Sequence, residues 1–268
     1  MRSFEYHRPQ SVADAVALLR ANEAAKLLAG GQSLLPVMKL DLAAPSDVVS
    51  LAGLRDLKAI RSEGDTLVIG ALATHDEVAH SAEVRRRIPA LAALAGGIGD
   101  AQVRNRGTIG GSVAHADPSA DYPSAVVALG ATVETDRRRI AGDEFFLGFF
   151  QSALEPDEIV TAVHFPIPQC AAYAKFPHPA SKYAVAGVFV ARTVAKTGGG
   201  IRVAVTGAGP RVFRLTALES ALASNFSPEA VTEGMVDSGD LRQGGEASPE
   251  YLAHLVTVMA KRAIQACL

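Results

Sequence analysis

The chain has 268 residues, long enough for one large domain or two modest ones with a substantial core. Hydrophobic residues make up 49% and charged residues 20%, and Lys plus Arg at 26 against Asp plus Glu at 28 leave a net charge of -2. That balance argues against nucleic acid or an anionic membrane as the main partner and favours a small cofactor. The start, MRSFEYHRPQ, lacks the apolar core of a secretory signal, and no stretch approaches the length of a membrane-spanning helix, so the expected location is the cytoplasm. Two cysteines, Cys170 and Cys267, supply neither a disulfide framework nor the four thiolates of an iron–sulfur or zinc site. Any metal chemistry is therefore expected on another chain.

In chain order, Ser11 with Asp14 and the apolar Val12, Ala15, Val16 and Leu19 predicts a capped amphipathic helix ending near Asn22. Lys26 to Ala29 reads as a buried strand delivered into the glycine turn Gly30-Gly31-Gln32-Ser33, with a second helix from about Leu34. Leu67 to Ile69 predicts a strand, Thr74 with Glu77 a capping box, and Pro89 to Ala95 a helix stopped by Gly96-Gly97. A second glycine loop is expected from Thr108 to Asp121, then a helix over Ser124 to Leu129 stopped by Gly130, and a strand over Ala131 to Glu134. Glu158 to Phe165 is strand-like. Pro166, Pro168, Pro177 and Pro179 place a domain boundary near His164 to Gln169. Beyond it, Val185 to Val194, a Gly198-Gly199-Gly200 turn and Ile201 to Thr206 predict a hairpin, followed by helices over Leu215 to Ala223 and from Ser248-Pro249 through Ile264.

The pair of glycine loops is the most informative feature. Glycine has no side chain to hold a ligand away, so successive backbone N–H groups can converge on a phosphate, with a neighbouring hydroxyl as a further donor. Two loops suit the pyrophosphate of a dinucleotide. Neither has the Gly-x-Gly-x-x-Gly of a dinucleotide-binding Rossmann unit or the Gly-Lys-Ser/Thr ending of a nucleotide triphosphatase loop. Taken singly, each also reads as an ordinary tight turn.

The phrases LLAGGQSLLPVMKL, QVRNRGTIGGSVAHADPSADYP, LEPDEIVTAVHFPIP and YAKFPHPASKYAVAGVFV, in this order along nearly the whole chain, carry a family resemblance. The sequence resembles the medium, FAD-binding subunit of molybdenum hydroxylases of the aerobic carbon monoxide dehydrogenase and xanthine dehydrogenase family. The resemblance implies an α+β fold: a two-subdomain FAD-binding fold of the vanillyl-alcohol-oxidase type over residues 1–165, divided near 53, and a C-terminal domain of antiparallel sheet and helices over residues 170–268. It further implies that Leu27, Leu28, Ala29, Gly30, Gly31, Gln32, Ser33 and Leu34 form the first pyrophosphate segment. Thr108, Ile109, Gly110, Gly111 and Ser112 would form the second.

Asp121 falls where the family has an acid on a hydroxyl of the FAD chain, and also where it would N-cap the next helix. Ile98 falls at an apolar contact to the cofactor and Val160 at a backbone or apolar contact to the adenine; both also suit plain core positions. Lys175 falls near the flavin ring or, read alone, is a solvated charge. Tyr183 either covers one face of the isoalloxazine or packs on its own strand. His115 and Asp117 read as neighbours of the second loop without acid–base roles, and His75 and His178 receive none. In such a family the molybdopterin sits on a large subunit and two 2Fe–2S clusters on a small one. The expected assembly is a dimer of heterotrimers, in which this chain has no metal ligand and passes electrons to an external acceptor. A self-contained flavin oxidase and a non-enzymatic nucleotide-binding module are the other readings compatible with the glycine pair.

Overall fold

The computed structural model describes residues 1–193, 199–243 and 247–268. Its first unit alternates β1 (Glu5–His7), α1 (Val12–Ala21), β2 (Lys26–Leu28), α2 (Leu34–Lys39) and β3 (Asp47–Ser50). The strands form a sheet in the order β1-β3-β2, with both pairings parallel. The Ser11 side chain accepts from the Asp14 N–H, so α1 starts where the sequence predicts, and Asn22 is its C-cap. Its buried stripe of Ala15, Val16 and Leu19 packs with Val49, Leu51, Leu54, Leu72 and Ile159 in a small core. Strand β2 differs from expectation: Leu27 and Leu28 are only half-buried, because they border an open cleft.

The second unit comprises β4 (Ile60–Glu63), β5 (Thr66–Gly70), α3 (His75–His80), α4 (Ala82–Arg87), α5 (Pro89–Gly96), α6 (Ala101–Arg106), α7 (Ile109–His115), α8 (Tyr122–Ala128), β6 (Thr132–Thr135), β7 (Arg139–Ala141), α9 (Gly142–Phe145), β8 (Phe146–Gly148), β9 (Gln151–Ser152) and β10 (Val160–Pro166). Five of these strands form an antiparallel sheet in the order β4-β5-β10-β6-β7. Thr74 and Glu77 make the predicted capping box on α3, and Pro89 starts α5. Leu67, Ile69, Leu91, Ile109, Val126 and Val163 belong to the large core between sheet and helices. The second glycine segment is not a loop. Thr108 is the N-cap of α7 and its side chain accepts from Gly111 N–H, so Ile109, Gly110, Gly111 and Ser112 form the first turn of a helix. Glycine is tolerated there because Gly110 lies directly on Ala71: a Cβ at Gly110 would stand 2.8 Å from the Ala71 Cα.

The third unit is the antiparallel sheet of β11 (Cys170–Pro177), β12 (Ala184–Thr193), β13 (Gly200–Thr206) and β14 (Phe213–Arg214), covered by α10 (Thr216–Ser224) and α11 (Pro249–Cys267). The predicted β12–β13 pairing is present, with Val190 opposite Val203; Val194 and Gly198 of the expected hairpin lie outside the described residues. Strand β11 escaped the sequence reading, which took the prolines as interruptions of structure. Pro166 and Pro177 instead stand at the ends of β10 and β11, where a missing N–H costs the ladder little. The apolar run in β12 is explained by burial on both faces. Val188 and Val190 point to a core shared with Leu252, Val256 and Met259 of α11, whereas Phe189 and Ala191 join the core of the second unit.

A further correction concerns the cysteines. Helix α11 packs back along β11, bringing Cys267 to Cys170, and the two are joined by a disulfide with Cα atoms 5.8 Å apart. They are not separate thiols. Among the described residues no helix is long and apolar enough to cross a membrane.

Candidate functional site

A cleft of about 630 Å³ is bordered by β2 and the turn after it, the start of α7, the segment leading into β10 and the loop between β11 and β12. Of the residues named from the sequence as cofactor contacts, all but Ile109 and Lys175 line it. Ile109 is fully buried in the core of the second unit.

The two glycine segments face each other across this cleft with different chemistry. In the first, Gly31 has φ +76°, a left-handed conformation that L side chains rarely adopt, and this turns the chain from β2 into α2. A Cβ at Gly30 would stand 2.7 Å from the Gly107 Cα and press on the Arg106 carbonyl, so the turn lies against the end of α6. Among the described residues, the N–H groups of Gly31, Gln32 and Ser33 meet no protein acceptor, and the Ser33 side chain makes no cap. Such a row of unclaimed donors suits an anion.

The second segment has fewer free donors than the sequence suggests. Ile109 N–H donates to Ala73 O (3.0 Å), Gly110 N–H to Ala71 O (2.9 Å), Gly111 N–H to Thr108 Oγ1 (3.2 Å) and Ser112 N–H to Thr108 O (3.0 Å). What it offers the cleft is the Ser112 hydroxyl, the positive end of a short helix and, at Gly111, a wall without a side chain. A Cβ there would lie 3.6 Å from the Ala29 Cβ on the opposite wall. Glycine thus keeps open a cradle that a side chain would fill.

Asp121 does not cap α8; its side chain makes no cap bond. Its Oδ1 accepts from the Tyr173 hydroxyl (2.5 Å) and pairs with the Lys175 ammonium (2.9 Å). Burial pushes the Asp121 carboxyl up, opposed by the Lys175 charge and the Tyr173 hydrogen bond. The carboxylate is nearly inaccessible yet borders the cleft. Lys175 is not a solvated charge either, since its side chain is 10% exposed. Tyr183 precedes β12 instead of packing within it, and its half-exposed side chain lines the cleft. Ile98 is a half-buried lining residue, and Val160 lines the cleft from the first position of β10.

The sequence reading gave no role to His75, yet it lines the cleft with its Nδ1 buried and without a partner. Burial, aided by the Arg104 charge, lowers its pKa to about 4, so the ring is neutral. The signal available was its place as first residue after the capping Thr74, since the Thr74–Thr108 bridge ties that helix start to the start of α7. His115 and Asp117 also line the cleft; His115 lies 5.0 Å, ring to ring, from Phe150 of the β8–β9 turn. Nothing in the sequence marked Phe150.

Residues 2–168 match the family model described as the FAD binding domain in molybdopterin dehydrogenase. The chain belongs to that family of FAD-binding medium subunits of molybdenum hydroxylases. The carbon monoxide dehydrogenase medium chain of Hydrogenophaga pseudoflava is 38% identical to this medium subunit, over 98% of this chain and 96% of that one. The nicotine 6-hydroxylase medium subunit of Paenarthrobacter nicotinovorans is 36% identical over 98% and 96%. A solved structure of the Hydrogenophaga pseudoflava carbon monoxide dehydrogenase superposes with a TM-score of 0.91 at 38% identity, covering 99% of this chain and 97% of that one. The medium subunit is an FAD protein and a component of an oxidoreductase. The open cradle between Ala29 and Gly111 and the unclaimed N–H groups of the first turn are features such a cofactor would use.

Proposed function

We propose that this medium subunit carries FAD in the cleft and relays electrons from iron–sulfur clusters on a small partner subunit to an external acceptor. The organic substrate is oxidised at molybdopterin on a large partner subunit. The observation that carries the binding mode is the run of unclaimed N–H groups at Gly31, Gln32 and Ser33, facing the side-chain-free gap at Gly111. Within this reading, residues 27–34 hold the pyrophosphate with the Ser112 hydroxyl opposite. Asp121 takes a hydroxyl of the cofactor chain, Ile98 and Val160 supply apolar contacts and Tyr183 covers the ring. Bound there, FAD supplies an acceptor able to take electrons singly and release them singly or in pairs.

The proposal includes a division into a flavin-binding part, residues 1–165, and a C-terminal domain, residues 170–268. It also includes assembly with the large and small subunits as a dimer of heterotrimers in the cytoplasm. Its support is the close match to medium chains of such complexes along nearly the whole sequence. Acid release of flavin from the purified complex, followed by chromatography, tests the cofactor. FAD is expected, and FMN alone would overturn the two-segment pyrophosphate site.

A further inference from the structure

His75 is the first residue of α3, and it is only 5% exposed although it borders the cleft. Hydrogen bonds do not hold its ring there. The His75 main-chain N–H donates to Gly107 O (2.9 Å), the Tyr122 ring tilts against the imidazole with centroids 5.4 Å apart, and both Nδ1 and the Tyr122 hydroxyl are buried without partners. An apolar side chain of similar bulk would fill this place without the cost of enclosing an unpaired polar atom, so packing alone does not account for a histidine.

Gly107, the C-cap of α6, connects this ring to the first glycine turn. A Cβ at Gly107 would stand 2.5 Å from His75 Nε2, and a Cβ at Gly30 would stand 2.7 Å from the Gly107 Cα. His75, Gly107 and Gly30 thus form one wall of the cleft, which all three line. The turn continues into the N–H groups of Gly31, Gln32 and Ser33, which meet no protein acceptor among the described residues. The burial also decides the tautomer. The neutral ring carries a single proton, which would be stranded on the enclosed Nδ1; buried N–H groups without an acceptor are rarer than unsatisfied acceptors, so the proton belongs on Nε2. Arg104, whose guanidinium donates to the carbonyls of Ile98 and Gly99, adds a positive charge near the ring.

We propose that His75 is a further binding residue for the cofactor's pyrophosphate, its Nε2–H donating to a phosphate oxygen seated on the N–H groups of the first turn. This rests on the FAD reading above and adds to it a donor from α3, an element that belongs to neither glycine segment. Gly107 has its own part, since the lack of a side chain there leaves the imidazole and the turn within reach of the same anion. A hydrogen bond to an ionised phosphate oxygen is of the stronger, charge-assisted kind.

The full-length chain, assembled with its partner subunits and stripped of flavin, tests this contact in wild type, His75→Leu and His75→Gln. FAD is titrated by fluorescence, and ADP, which carries the pyrophosphate without the flavin, is measured as a competitor. Leucine keeps the bulk and removes the donor, whereas a glutamine amide reaches the place of Nε2. His75→Leu is expected to weaken both FAD and ADP by about tenfold or more, with His75→Gln recovering most of the loss. Unchanged FAD affinity in His75→Leu would overturn the proposal, as would a loss for FAD that ADP does not share. An equal loss in both variants would mark a packing role and overturn it too. Should His75→Leu not fold, His75→Asn replaces it: its amide takes the place of Nδ1 but falls short of Nε2, so affinity below that of His75→Gln supports the donor and equal affinity overturns it. A wild-type complex that takes up no FAD would overturn the flavin reading and this contact together, whereas normal wild-type uptake with unchanged His75→Leu removes the contact alone.

Discussion

Two adjacent glycines, Gly110 and Gly111, are expected to behave in opposite ways when given a single methyl group. At Gly110 a Cβ would stand 2.8 Å from both the Ala71 Cα and its carbonyl oxygen, and nearer still to its Cβ. Ordinary carbon contacts need roughly 3.5–4.0 Å, so α7 would have to move off the end of β5 by about 1 Å or more. That movement strains the Gly110 N–H bond to Ala71 O, now 2.9 Å. Overpacking of this kind costs about 1–3 kcal/mol, and the helix-propensity gain of replacing glycine by alanine returns at most about 1 kcal/mol. Gly110→Ala should therefore destabilise the flavin-free chain. At Gly111 the nearest atoms to a new Cβ are the Thr108 Oγ1 at 2.9 Å, the oxygen that caps α7 and would have to shift by a few tenths of an ångström, and the Ala29 Cβ at 3.6 Å across the cradle. Gly111→Ala should change the stability of the flavin-free chain by no more than about 1 kcal/mol, because the helix-propensity gain is offset by the strain on the Thr108 cap. Its FAD affinity should nevertheless fall about tenfold or more, because the methyl occupies the gap. Urea denaturation of the flavin-free proteins and FAD titration together give the contrast. Parallel losses in both measurements for both variants, or wild-type affinity in Gly111→Ala, would refute the assignment of packing to one glycine and cradle to the other.

Other expectations follow from the charges and thiols. The Arg138 guanidinium beside Glu158 holds its carboxyl at about 2, against 4.5 unperturbed, so this stabilisation is complete above about pH 4.5 and is lost as pH falls through 2. Because Arg138 is partly exposed, the expected size is about 1–2 kcal/mol, and urea midpoints that fall equally with acid in wild type and Glu158→Gln would contradict it. The Cys170–Cys267 bridge spans 97 residues of chain, so reduction or a double serine variant should lower unfolding free energy by about 2–4 kcal/mol. Substrate-driven flavin reduction in the assembled complex should survive that change; its loss in a folded double variant would give the cysteines a part in electron transfer. Metal analysis of the isolated chain should find neither iron nor molybdenum, and stoichiometric iron would overturn the relay reading.

Local signals in the sequence proved readable where the physics is local. Ser11 with Asp14 and Thr74 with Glu77 name helix starts because a side-chain oxygen and an N–H three residues away satisfy each other without help from the rest of the fold. The turn at Gly30-Gly31 was legible for a similar reason, since a left-handed φ at Gly31 is a property of the turn itself. The sequence reading went astray where a residue's meaning depends on distant neighbours. Gly110 and Gly111 look equivalent in sequence, and only the placement of Ala71 on one side and Ala29 on the other separates them. Strand β11 was hidden by prolines that sit at strand ends, and the Cys170–Cys267 bridge depends on α11 returning along β11.

Asp121 and Lys175 show why family resemblance and geometry have to be combined. Resemblance placed both near the cofactor, but it could not say that one side chain is the other's counter-ion. The residues are 54 positions apart, and their meeting requires the third unit to dock on the second through Phe189, Ala191 and Ala204. The apolar face that makes this docking favourable also excludes water from the Lys175–Asp121 pair, leaving side chains only 10% and 4% exposed. In such surroundings the pair is stable only while both members are present, so the cleft inherits its charged wall from the packing of β11 and β12 on the second unit and not from the glycine segments alone. Loosening that contact should therefore be felt at the flavin even when every residue that lines the cleft is kept. Ala204, fully buried between the third and second units and outside the cleft lining, offers the direct trial. A larger Ala204→Leu side chain should separate the two units and weaken FAD binding along with stability, and a folded variant with wild-type FAD affinity would show that the clasp does not reach the site.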